Sequence, residues 1–165
     1  MKKTLTTVFM AQSAVIAALY VALTLAFQPI SFGAIQFRIS EALCILPVFT
    51  FAGVPGVTLG CLIANILGGA ALPDIVFGTL ATLIGAVLSY KVRTISKWLV
   101  CVPPILSNAI IIPFVLRYAY GVPGIIPYLM LTVGTGEVLA VAVLGNILML
   151  ALEPKKDLLF SAHLG

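Results

Sequence analysis

Charged side chains punctuate this chain at wide intervals, and the blocks between them are apolar. Between Lys3 and Arg38 lie 34 uncharged residues, between Glu41 and Asp74 lie 32, and between Asp74 and Lys91 lie 16. Lys97 to Arg117 and Arg117 to Glu137 each enclose 19, and Glu137 to Glu153 encloses 15. A membrane-spanning helix needs about 20 predominantly apolar residues. The first block predicts one helix over 8–27, ended at Gln28-Pro29 because proline biases the residue before it away from helix. A secretory signal peptide is the competing reading, but the apolar run exceeds the roughly 7–15 residues of a signal core. The second block holds Gly53-Val54-Pro55-Gly56, which reads as a turn. It predicts helices over 41–52 and 57–71, the first reaching only about 18 Å at 1.5 Å per residue. One long helix kinked at Pro55 is the rival. Further helices are predicted over 75–90, 98–116 and 127–152, the last with Glu137 inside it.

Positive charges decide the number of crossings. With six, both termini are cytoplasmic and seven basic residues (Lys2, Lys3, Lys91, Arg93, Lys97, Lys155, Lys156) lie inside, with Arg38 and Arg117 outside. With five, the split is three inside and six outside. Basic residues favour the cytoplasmic side, so the chain reads as an all-α membrane protein, a compact bundle of six transmembrane helices with N-in/C-in topology. Residues 1–165 form a single domain in this reading.

Composition agrees. Of 165 residues, 62% are hydrophobic and 8% charged, against about 45–50% and 25% in soluble domains, and mean hydropathy is +1.22. This excludes a soluble enzyme, a nucleic-acid-binding domain and a disordered chain. The three cysteines, Cys44, Cys61 and Cys101, lie in apolar stretches, a placement that argues against a disulfide framework or a zinc site. Six spans leave roughly 45 residues outside the bilayer, too few for an ATPase domain, and no GxxxxGK[ST] occurs. Energy from ATP would have to come from partner subunits.

The six-span topology gathers Arg38, Glu41, Asp74, Arg117 and Glu137 toward the outer face, three acids against two arginines. Charges within spans are expensive and usually mark a substrate path, although structural pairs also occur. Arg38 and Glu41 are three apart and can pair on one helical face. Asp74, after Pro73, could act as a helix N-cap. Glu137, deep in an apolar segment, needs a partner or a ligand. Asn65, Asn108 and Asn146 suit hydrogen bonding between helices, and Asn65 is also within reach of a pocket. Gln36 and Tyr20 are further pocket candidates. His163, in the tail, is neither ligand nor catalyst, no HExxH occurs, and no catalytic or metal site is expected. Small residues repeat every four along the first helix (Ala14, Ala18, Ala22, Ala26) and the third (Gly56, Gly60, Ala64, Gly68), which lets helices approach closely. The stripe on the first helix could face this bundle or another subunit.

The segment Pro29-Ile30-Ser31-Phe32-Gly33-Ala34-Ile35-Gln36-Phe37-Arg38-Ile39-Ser40-Glu41-Ala42-Leu43 resembles the signature of the QueT family. Leu59-Gly60-Cys61-Leu62-Ile63-Ala64-Asn65 and the run from Asp74 to Thr82 resemble it too. The resemblance implies a substrate-binding (S) component of an energy-coupling factor (ECF) importer in the bacterial plasma membrane, taking up a queuosine precursor. It implies a pocket near the outer surface closed by the loop holding Gln36 and Arg38. It also implies docking of Ala14, Ala18 and Ala22 on a transmembrane coupling protein driven by two cytoplasmic ATPases. The chain itself would need no cofactor. For a 7-deazaguanine ligand the expected contacts are Gln36, Arg38, Glu41, Asn65, Asp74 and Glu137, with Phe32 or Phe37 stacking on the ring. An S component for another vitamin or a purine, a non-transport scaffold subunit and an intramembrane enzyme are the alternatives.

Overall fold

The computed structural model describes the backbone of residues 2–31 and 37–160 and the side chains of 7–29 and 37–160. These residues form helices α1 (Lys2–Ala26), α2 (Gln28–Ser31), α3 (Gly53–Leu67), α4 (Leu72–Val92), α5 (Val102–Tyr118), α6 (Ile126–Glu137), α7 (Asn146–Leu152) and α8 (Lys156–Leu159). A 3₁₀ helix spans Ile39–Val48, shorter 3₁₀ turns cover Lys97–Cys101 and Glu153–Lys155, and a π-helical stretch, Val138–Gly145, joins α6 to α7. No strand is present among the described residues.

Contacts at the two ends trace six traverses. At one end the Gln12 side chain donates to Leu159 O (3.0 Å) and accepts from Thr50 (3.4 Å), Arg93 reaches Val48 O (3.4 Å) and Lys97 pairs with Glu153 (2.7 Å). At the other, Asp74 pairs with Arg38 and accepts from Tyr120. The N-terminal half of α1 and the C-terminal helix α8 therefore share one end, together with the basic residues Arg93, Lys97 and Lys156. Four helical stretches are long and apolar enough to cross a membrane (7–26, 72–92, 97–118 and the run starting at Ile126), and Ile39–Val48 and α3 are shorter. Leucines, isoleucines and phenylalanines on the outer faces of these helices, such as Leu19, Ile63, Phe77 and Leu139, are exposed. A helix that is apolar on every face belongs in lipid or a core, and the chain is a helical membrane protein.

The second crossing differs from expectation. Instead of an α-helix over 41–52, the chain forms a 3₁₀ helix over Ile39–Val48 whose residues 40–47 are all buried. A 3₁₀ helix rises about 2.0 Å per residue, so ten residues cover about 20 Å where an α-helix would cover about 15 Å. The tighter helix lets a short segment cross the middle of the bundle. Gly53-Val54-Pro55-Gly56 is not a turn but the first turn of α3; the reversal falls at residues 49–52. Pro55 fits there because the first N–H groups of a helix have no intrahelical partner. Gly53 is needed for the close return, since a Cβ would lie 2.8 Å from Pro47 N. At its far end α3 stops in a Schellman motif: Gly69 takes φ +73, with Ala70 N–H on Asn65 O (2.9 Å) and Gly69 N–H on Ile66 O (3.3 Å). Helix α1 ends at Ala26, just before Gln28-Pro29 as expected, and Pro29 then sits inside the single turn of α2.

Helices α1 and α3 pack closely along Ser13, Ile16, Ala17 and Tyr20, with Gly56 and Gly60 opposite. The Ala14, Ala18 and Ala22 stripe lies on the other side of α1 and is exposed. A Cβ at Gly60 would lie 2.6 Å from Tyr20 Cβ and 3.1 Å from Ala17 O. Overpacking of this kind costs about 1–3 kcal/mol. Gly60→Ala is therefore expected to lower the thermal unfolding midpoint in detergent, whereas Ala18→Leu, a good helix former on the exposed face, should shift it far less. Equal midpoints for both would refute this packing.

Candidate functional site

The polar residues of the bundle interior converge from the 3₁₀ helix, from α1, α3, α4, α5 and α6, and from the α5–α6 loop. Arg38 caps the 3₁₀ helix in extended conformation and is 5% exposed. Its Nη2 lies 3.4 Å from Asp74 Oδ2. Asp74 is fully buried in the first turn of α4. It is not the N-cap, a position held by Ala71; Pro73, which needs no N–H partner there, precedes it inside the turn. From the α5–α6 loop the Tyr120 hydroxyl donates to Asp74 Oδ2 (3.0 Å) and accepts from Ala71 N–H (3.0 Å). Burial pushes the Tyr120 hydroxyl above its usual range, and Asp74 adds to the effect, so it stays a donor at neutral pH. Asn65, in the last turn of α3, donates to Asp74 O (3.4 Å).

Glu41 is held by its own chain. Tyr20 donates to Oε1, and the Cys44 thiol donates to Oε2 at 3.0 Å. Glu137, at the C-terminal end of α6, is 6% exposed and Asn108 on α5 is 4% exposed. Glu137 lies within electrostatic range of Glu41 and Arg38, with Asn108 beside it.

Four buried polar atoms in this region lack hydrogen-bond partners: Asn65 Oδ1, Asp74 Oδ1, Glu137 Oε2 and Asn108 Nδ2. Buried polar atoms are almost always paired in native proteins, and each exception calls for an explanation. Three of these are acceptors and one is a donor. Gly78 borders two of the residues, because a Cβ there would lie 2.9 Å from Asp74 Oδ1 and 3.3 Å from Asn65 Nδ2. Three carboxylates and one guanidinium leave a formal charge of −2, so the arrangement suits a ligand rich in N–H donors and neutral or positive in charge.

Of the expected site residues, Arg38, Glu41, Asn65, Asp74 and Glu137 come together here. Gln36 lies outside the described residues, as do Phe32 and His163; Phe37 is half-buried against the main core. Arg117 stays outside the cluster, exposed, with Nη1 3.4 Å from Val122 O. The sequence reading missed the partners Tyr120 and Cys44 and read Asn108 only as a helix–helix hydrogen bonder. An asparagine in an apolar helix was the available signal; nothing in the sequence marked Tyr120. Among the described residues no group of three or more His, Cys, Asp or Glu could hold a metal ion.

Comparison with known proteins adds a family. The model of the QueT transporter family matches residues 10–154. The queuosine precursor transporter QueT of Lactococcus lactis subsp. cremoris (strain MG1363) is 42% identical over 73 residues, which is 43% of this chain and 43% of that relative. The aligned segment thus spans less than half the length of the relative. No solved structure matches the chain significantly.

Proposed function

This chain belongs to the QueT transporter family, and from that premise we propose that it captures a queuosine precursor, a 7-deazaguanine base, in the Arg38–Asn65–Asp74–Glu137 site. The observation that carries the reading is the set of four unpartnered buried atoms. A guanine-type edge offers two adjacent N–H donors and one carbonyl acceptor, and an aminomethyl group adds an ammonium. Glu137 accepts from the base edge, and a carboxylate is well suited to a forked pair of donors. Asn108 donates to the carbonyl. Asp74 Oδ1 and Asn65 Oδ1 receive the ammonium, Arg38 holds Asp74 in place, and Glu41 serves as a fixed wall tied to Tyr20. The formal charge of −2 favours the aminomethyl base over its neutral nitrile precursor.

In this reading the chain is a multi-pass S component of the bacterial plasma membrane and performs no chemistry. The basic end, with Arg93, Lys97 and Lys156, faces the cytoplasm, following the positive-inside rule. The exposed Ala14, Ala18 and Ala22 stripe docks on an ECF transmembrane coupling protein, and two cytoplasmic ATPases supply the energy. Small residues on an exposed helix face permit such close approach.

Calorimetry on the purified full chain tests the ligand. The aminomethyl-deazaguanine is expected to bind most tightly, ahead of the nitrile and of guanine. Folded protein that binds none of the three would move the assignment to another ligand class.

A further inference from the structure

A second polar site lies at the basic end, far from the Arg38–Asp74 cluster. It is a cavity of about 310 Å³, lined by Arg93, Lys97, Glu153, Lys156 and Asp157 over the aromatic pair Phe49 and Phe160. Those two rings stack at 5.1 Å with planes 4° apart, which fixes the short helix α8 across the end of the bundle and gives the cavity a rigid floor.

The charges inside are unequally spent. Lys97 Nζ engages both oxygens of Glu153, at 2.7 and 2.8 Å, so these two charges offset each other. Arg93 and Lys156 remain against Asp157, two cations to one anion, a formal +1. Arg93 is preset for an acceptor: its guanidinium lies 4.0 Å from the centre of the Tyr90 ring, and Nη1 makes only a long contact to Val48 O (3.4 Å). Its Nε is buried and has no hydrogen-bond partner. A guanidinium stacked on an aromatic ring with unspent N–H groups is suited to forked recognition of a phosphate. The depth also fits. Trp98, 49% exposed, and Tyr90 lie beside the cavity, and such residues gather at the level of lipid headgroups. Basic pockets between spanning helices on that side bind anionic headgroups.

We propose that this cavity is a phosphate-binding site at headgroup depth, with Arg93 and Lys156 as the anion ligands and Phe49 and Phe160 as its floor. The phosphate can come from an anionic phospholipid or from a free anion in the cytoplasm. The site stands on its own geometry and does not depend on the ligand bound at the opposite end.

The test uses the full chain in an uncharged detergent, with native mass spectrometry for lipid and thermal unfolding for free anion. The probes are phosphatidylglycerol, phosphatidylcholine and inorganic phosphate. Preferential retention of phosphatidylglycerol, about tenfold or more weaker in Arg93→Gln, supports the site with lipid as the source. Stabilisation by inorganic phosphate, lost in the same variant, supports it with a free anion. Lys156→Gln, at an exposed position, should weaken binding without affecting the fold. Asp157→Asn should tighten it, a gain that misfolding cannot imitate. Equal retention of both lipids with no effect of inorganic phosphate overturns the proposal, as does anion binding unchanged in both Arg93→Gln and Lys156→Gln.

Discussion

Glu137→Gln is expected to weaken binding of the aminomethyl-deazaguanine about 10- to 150-fold while the protein remains folded. The reasoning is an asymmetry between the states. Without ligand, Glu137 Oε2 is buried and unpaired, and an ionised carboxylate in that position is a cost to the fold. Replacing it with a neutral amide of the same shape should leave the unfolding midpoint in detergent unchanged or raised. With ligand, the same oxygen accepts from N–H groups, and hydrogen bonds to charged groups are worth about 1.5–3 kcal/mol, equivalent to the stated loss at about 1.4 kcal/mol per tenfold. Glutamine also brings an N–H₂ that can face the donors of the base edge. Calorimetry and thermal unfolding on the same preparation separate the two effects. Unchanged affinity would remove Glu137 from the site; a collapse in stability would show that it holds the bundle together instead.

Arg38→Met is expected to destabilise the protein by about 3–5 kcal/mol, because it strands a buried carboxylate. Asp74 is fully buried, and Arg38 is the cation at its side. Tyr120 alone would remain on Oδ2, which cannot neutralise the charge. The double variant Arg38→Met/Asp74→Leu should recover a large part of the loss, since apolar replacement of a whole buried pair is often neutral or better. Unfolding in detergent supplies the double-mutant cycle, and additive losses would mean that the two residues are not coupled. Ligand binding should be lost in the double variant even where stability returns, which separates the role of the pair in the fold from its role in the site.

Much of this arrangement was legible from the spacing of charges. Arg38, Glu41, Asp74 and Glu137 sit alone in apolar surroundings, where only a specific purpose offsets the cost of a charge, and all four are buried in one region of the bundle. The six traverses followed from the same spacing. The form of the second crossing was not legible. Residues 40–47 are buried on every face, so their pattern has no polar side from which to read a period, and 3₁₀ and α look alike. Pro55 misled because its cost depends on where a helix begins, which Gly53 and the return past Pro47 decide. Partners were out of reach for a different reason: Tyr20 to Glu41 and Tyr120 to Asp74 join residues 21 and 46 positions apart, and only the packed bundle brings them together. The π-helical stretch after Glu137 likewise leaves no trace in an apolar run.

The 3₁₀ crossing also constrains how this sequence can change over time. With three residues per turn, side chains three apart eclipse, so Glu41, Cys44 and Pro47 fall in one line. Cys44 bonds Glu41 along that line, and Pro47 closes it against Gly53. Inserting or deleting one residue would rotate everything beyond it by about 120° and slide it by about 2 Å. Every neighbour of a fully buried segment would then meet the wrong side chain. An α-helix at the surface can absorb such an event by turning a tolerant face inward, but this segment has none. It can drift in composition, one side chain at a time, but it is locked in length.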